Sequence, residues 1–191
     1  MTSRTRILLL AAAAACLLLG SAGSAGAAIL IRIPGVEGDS KLPGFEGWTV
    51  ADSFSFGVER EMRESGEKGG TEDINIGVGE LQECTISKSL DRASAHLAQF
   101  AINGNSLGTV DIVFVDASPD GKPIVYLAYK LERAFVKSWS TSGDADDRPT
   151  EEVAFYFNKI AFSYSPAKGS SLGAGWDAVK NVPFSIGAAT K

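Results

Sequence analysis

The side chains that could act as nucleophiles, bases or metal ligands are few and scattered. His96 is the single histidine in 191 residues, and a Ser-His-Asp or Cys-His arrangement would need a nucleophile beside it that the sequence does not supply. Of the two cysteines, Cys16 lies in an apolar leader. Cys84 therefore stands alone, unable to form an internal disulfide or to complete a tetrahedral zinc set with one histidine. Its simplest role is that of a small buried apolar residue. Asp144, Asp146 and Asp147 cluster the oxygens that a hard cation prefers, but an EF-hand loop beginning at Asp144 would carry Pro149 where glycine is required. A solvated acidic turn is the reading that remains. Neither a GxxxxGK[ST] nor a GxGxxG phosphate loop is present, and paired carboxylates specify nothing without geometry. These residues predict no catalytic centre, no metal and no cofactor, and point away from an enzyme.

The weight falls instead on the elements. With 45% hydrophobic and 21% charged residues and 21 glycines, the chain is predicted to be one globular, β-rich domain. Arg4 and Arg6 precede an apolar run over 7–19, which leads into small residues ending in Ala25-Gly26-Ala27. That is the pattern of a secretory signal peptide over 1–27, and its 13 apolar residues fall short of the ~20 needed to span a bilayer. The expectation is an exported protein, periplasmic or secreted, with no stable membrane insertion. A lipidated Cys16 is the other possibility, against which Leu17, Leu18 and Leu19 prolong the apolar run. Cleavage after Ala27 removes two arginines and no acids, moving the net charge from −5 to −7. Such a charge argues against a nucleic acid as partner.

Strand signals fill the predicted domain, 28–184. Ile29, Ile31 and Ile33 alternate, then stop at Pro34. A second strand is predicted over 48–58, with Phe54 and Phe56 on an apolar face and Ser53, Ser55 and Gly57 on a small polar one. The stretch 59–73, with nine charges, three glycines and Met62 as its large apolar residue, predicts a long projecting loop, either an interaction arm or a solvated hairpin tip. A strand over 74–86 is expected to bulge at Gly77 or Gly79. Between them and the next strand the period changes, predicting a helix over 94–103 with Ser94 as N-cap and Gly104 as its stop.

Val110, Ile112 and Phe114 then lead through Ser118-Pro119-Asp120-Gly121, a turn signature, into a returning strand from Val125 through Phe135 toward Trp139. Residues 150–164 read as one long strand whose apolar face switches at Asn158 and Lys159. That switch predicts a bulge or sharp bend of the kind that curls a sheet toward a barrel. Residues 185–191 are expected to fray.

In order and spacing, the chain from Ile29 to Asn181 resembles the Hcp family, the haemolysin-coregulated proteins of the type VI secretion inner tube. The resemblance is carried by ILIRIPGVEGDS, Phe54-Ser55-Phe56-Gly57, KSLDRASAHL, VKSWSTSG, TEEVAFYFNKIAFSYSP and GWDAVKN. It implies a curled, two-sheet antiparallel β-barrel with one short α-helix, assembling as hexameric rings that stack and hold small effector proteins in the lumen. It further implies that Arg60, Glu61, Met62, Arg63, Glu64, Glu67 and Lys68 belong to a ring-stacking loop, and that Ser53 and Ser55 face the lumen. Nothing after Phe184 suggests a fused toxin domain. The leader departs from the family pattern, since tube subunits are made and assembled in the cytoplasm. The alternative reading is therefore an exported Hcp-fold binding module that acts outside the cytoplasm without building a tube.

Overall fold

The structure, a computed structural model, describes residues 27–64, 74–118, 121–166 and 170–184. The leader over 1–26, the tail over 185–191, and Glu67 and Lys68 lie outside them. The strands run β1 (Ala28–Arg32), β2 (Thr49–Ala51), β3 (Ser53–Ser55), β4 (Val58–Glu64), β5 (Ile74–Leu81) and β6 (Cys84–Ser89), then the helix α1 (Ser94–Asn103). They continue as β7 (Gly108–Ala117), β8 (Pro123–Ser142), β9 (Thr150–Tyr156), β10 (Lys159–Tyr164), β11 (Leu172–Asp177) and β12 (Val182–Pro183).

Every pairing is antiparallel, and β8 is the hinge of the arrangement. Its first half sits in the order β12-β11-β10-β8-β7-β1-β2, while its second half pairs β9, which continues through β6 to β3. The expected strand over 150–164 is divided into β9 and β10, which follow each other along one edge of β8. Tyr156 pairs Phe135 and Lys159 pairs Glu132, so two residues span the bend on each strand. Asn158 N–H donates to Glu132 O at 3.1 Å across it, and Arg133 bends β8 at a left-handed φ of 52°. The bend is thus shared by two paired strands.

The strand expected over 48–58 is also split. β2 pairs β1 in one sheet and β3 pairs β6 in the other, with Asp52 between them donating its N–H to Ser87 O at 2.8 Å. The wall therefore curls round on itself, but hydrogen bonds do not close it into a barrel: at this seam the two sheets are joined by the covalent chain.

Inside lie Ile31, Ile86, Leu97, Val110, Ile112, Leu131, Val153 and Phe155, each at most 1% exposed. Phe155→Ala should cost ~3 to 5 kcal/mol by the cavity it leaves, measurable by urea denaturation. A smaller cluster of Leu30, Val113 and Val115 on the other face is covered by Leu42, Phe45 and Trp48 of the β1–β2 connection.

Three further expectations are corrected. Residues 59–64 are strand rather than loop, because β5 supplies their backbone partners and an outlying ribbon leaves charged side chains in water. The stretch 74–86 breaks at Gln82-Glu83 into β5 and β6, although the bulge does fall between Ile76 and Gly79. Ser94 is not the N-cap: Ala93 holds that position without a side-chain cap, and Asp91 closes the turn before it, its Oδ1 accepting from Ala93 N–H at 2.9 Å while Ser94 Oγ accepts from Asp91 N–H at 2.9 Å. At the other end Gly104 stops the helix at φ 67°, donating to Phe100 O.

Candidate functional site

Ser53 and Ser55 are both exposed on β3, and the registers extend their row across the second sheet. Ser53 pairs Ser87, which pairs Glu152, which pairs Ser140; Ser55 pairs Thr85, which pairs Ala154, which pairs Ser138. Ser53 and Ser87 hydroxyls bond each other at 2.7 Å. The opposite face of β3 turns aromatic rings inward, Phe54 lying 4.8 Å from Tyr129 and 5.5 Å from Phe114. One sheet thus separates an apolar interior from a hydroxyl-rich surface. Thr85 and Ser87, and Ser138 and Ser140, alternate at period two in the sequence, but only the pairing puts them in one row with β3.

The ribbon β4–β5 projects from this body. Glu59, Arg60, Glu61 and Met62 are exposed, and Glu59 accepts from Gln82 Nε2 at 3.0 Å at its base. Arg63 and Glu64 close the described part of β4, opposite Asn75 and Ile74.

The polar cluster that sequence reasoning missed is internal. Lys88 is fully buried; its ammonium donates to Glu151 Oε1 at 2.5 Å, Asp91 Oδ1 at 2.8 Å, Ser89 O at 2.9 Å and Ser94 Oγ at 3.3 Å. Trp139 Nε1–H donates to the other Glu151 oxygen at 2.8 Å. Among the described residues no buried side-chain polar atom lacks a partner, the condition under which a buried ion pair is tolerated. The cluster ties β6, β8, β9 and the start of α1 together. Its members come from KSLDRAS, VKSWS and TEEV, three of the stretches that carried the resemblance, so part of that sequence pattern is the imprint of one buried network.

None of the predicted chemistry-bearing residues converges. His96 is exposed on α1. Cys84 is buried, and desolvation pushes its thiol up to about 12, away from thiolate reactivity. Burial also raises the Tyr129 hydroxyl, with Cys84 adding to it. Asp144 accepts from the N–H groups of Asp146 and Asp147 in an exposed turn, and no group of three potential metal ligands occurs among the described residues. Asp177 is held below the usual carboxylate range, first by the Lys180 N–H and further by Lys159 and the Val179 N–H. No helix among the described residues is long and apolar enough to cross a membrane.

A family model described as "Type VI secretion system effector, Hcp" matches residues 30–164. None of the curated proteins matches the chain in sequence. Among solved structures, one titled as a type six secretion system protein superimposes with a TM-score of 0.73 at 22% identity, covering 82% of this chain and 99% of its own. Hcp1 from Salmonella typhimurium gives 0.67 at 20% identity, covering 83% and 99%. A type VI secretion system effector from Yersinia pestis gives 0.61 at 21%, covering 78% and 98%. These likenesses are of fold.

Proposed function

Since this chain belongs to the Hcp family of type VI secretion proteins, we propose that it is a structural subunit whose copies close into hexameric rings, stack, and hold small effector proteins in the lumen. The observation that carries this reading beyond the family match is the hydroxyl row from Ser53 and Ser55 to Ser138 and Ser140. A wall of short hydroxyl side chains, interrupted by the one carboxylate of Glu152, offers a passing protein no apolar patch on which to stick. In this reading the row lines the lumen, and the β4–β5 ribbon is the stacking arm, with Arg60, Glu61, Met62, Arg63 and Glu64 on β4 and Glu67 and Lys68 beyond it. A mixed-charge arm makes contacts that salt screens, so stacking weakens as ionic strength rises.

The test is the solution mass of the chain from Ala28 by light scattering after size exclusion. Six protomer masses support the ring; a monomer over a wide concentration range removes it. In the ring, Ser55→Tyr should leave the mass unchanged and reduce cargo retention. The leader-like run over 7–19 favours a second reading, an exported Hcp-fold binding module, periplasmic or secreted, which the monomer result would select.

A further inference from the structure

Where the chain passes from β5 to β6, a cavity of about 350 Å³ opens beside the bend between β9 and β10, lined by Gln82, Glu83, Tyr156, Phe157, Trp176 and Asn181, among others. Its volume lies in the range of small-molecule sites, roughly 300 to 1,000 Å³. The lining is of two kinds. Phe157 and Trp176 bring apolar rings that also pack into the core, whereas Gln82, Glu83, Tyr156 and Asn181 bring an amide, a carboxylate, a phenol and a second amide. Glu83 is the one formal charge among the described lining residues, and Lys137 pairs with it. The cavity therefore sets a polar rim of little net charge beside aromatic rings.

These polar groups are placed by the fold and not used up by it. Gln82 is held twice, its backbone N–H donating to Gly57 O at 2.9 Å and its Nε2 to Glu59 Oε2 at 3.0 Å, which leaves Oε1 as an acceptor. The Asn181 amide and the Tyr156 hydroxyl bond to no other described residue, and Tyr156 is 54% exposed. Asn181 is nonetheless fixed in position. Asp177 Oδ1 accepts from Val179 N–H at 3.0 Å and Lys180 N–H at 2.9 Å, and Ala178 N–H donates to Asn158 O at 2.9 Å. That turn, anchored on the bend, delivers Asn181 at a left-handed φ of 55°, and residues held in that region concentrate at ligand clamps.

We propose that this cavity binds a neutral saccharide of about one or two rings, its C–H face against Trp176 and its hydroxyls on Gln82, Glu83, Tyr156 and Asn181. A sugar ring is divided as the lining is, apolar across one face and edged by hydroxyls that each donate and accept. The Gln82 and Glu83 oxygens accept from such hydroxyls, while the Asn181 amide and the Tyr156 hydroxyl both donate and accept. A wholly apolar ligand would strip water from four polar groups and give none of them a partner. An anion would meet Glu83 in a chain of net charge −5, with no cation among the described lining residues. An organic cation would have to displace Lys137 from Glu83. The site goes beyond the tube reading and does not depend on it.

The experiment titrates the purified protein with cellobiose, maltose, lactose and di-N-acetylchitobiose, and with adenosine, followed by calorimetry and by tryptophan fluorescence. The expected result is saturable binding of at least one disaccharide, one molecule per protomer, tighter than that of adenosine. For that sugar, Asn181→Gly suits the left-handed backbone and should weaken binding about fivefold, the size of one neutral hydrogen bond, without lowering the melting temperature. Tyr156→Phe keeps the exposed ring, removes the hydroxyl and should weaken binding by a similar factor. Trp176→Phe should retain the heat of binding and lose the fluorescence change. Absence of saturable heat with every disaccharide, a preference for adenosine, or an affinity unchanged in both Asn181→Gly and Tyr156→Phe would overturn the proposal. So would a cavity closed by a second copy, seen as oligomers that bind none of the sugars.

Discussion

Residues 88–94 and residues 59–64 both carry charges of both signs in short stretches of sequence. Lys88 is fully buried, whereas Glu59, Arg60, Glu61 and Met62 stand in solvent. The difference lies in what surrounds them. β6 runs between β3 and β9, with α1 starting just after it, so Lys88 meets carboxylates from its own connection and from β9, 63 residues away. β4 has β5 alone. A charged side chain is buried where several elements bring it complete hydrogen bonding, and stays in water where one neighbour cannot.

The sharpest way to break this contrast is Lys88→Met. Glu151 and Asp91 would remain without their shared cation, and urea denaturation should show a loss of about 3 to 5 kcal/mol; a loss under about 1 kcal/mol would place Lys88 among ordinary surface residues. Trp139→Phe keeps an aromatic ring there and removes the donor to Glu151 Oε2, so a smaller loss of about 1 to 3 kcal/mol is expected from the same measurement.

Asp177 lies between the extremes, a buried carboxylate on a surface turn. Its native pKa is lowered, so its contribution is fully present above the unfolded carboxyl range and disappears as pH falls through the native value. The melting temperature of the wild type should exceed that of Asp177→Asn at neutral pH, with the gap closing in acid. A gap that widened in acid would reverse the assigned sign. The smallest effect is reserved for the ribbon: Met62→Ser should change stability by no more than about 0.5 kcal/mol, and a larger loss would mean that the ribbon packs as core.

Much of the fold was legible because its signals are local. The helix over Ser94–Asn103 and its Gly104 stop follow from spacing and from glycine's freedom at positive φ. The bend at Asn158 follows from an apolar face that changes side. The divisions at Asp52 and Gln82 were not legible, since residues on both sides of each remain extended and only their partners change. The charges of the ribbon read as loop for a related reason: a backbone can pair while its side chains stay wet. Of the candidate site, Ser53 and Ser55 showed in the alternation of their own strand, but the row to Ser140 needs three strand registers.

By itself the sequence determined the β class, the helix over 94–103, the turns and the exposed charge of the ribbon, all consequences of residue type and short-range spacing. The tertiary structure decided which strands pair, that β8 serves both sheets, and that Lys88 is buried against Glu151. It also decided that Gln82, Tyr156, Trp176 and Asn181 share a cavity. Those outcomes depend on contacts between residues tens of positions apart, and the same local pattern is compatible with many such pairings until the chain closes on itself and each buried polar group must find its partner.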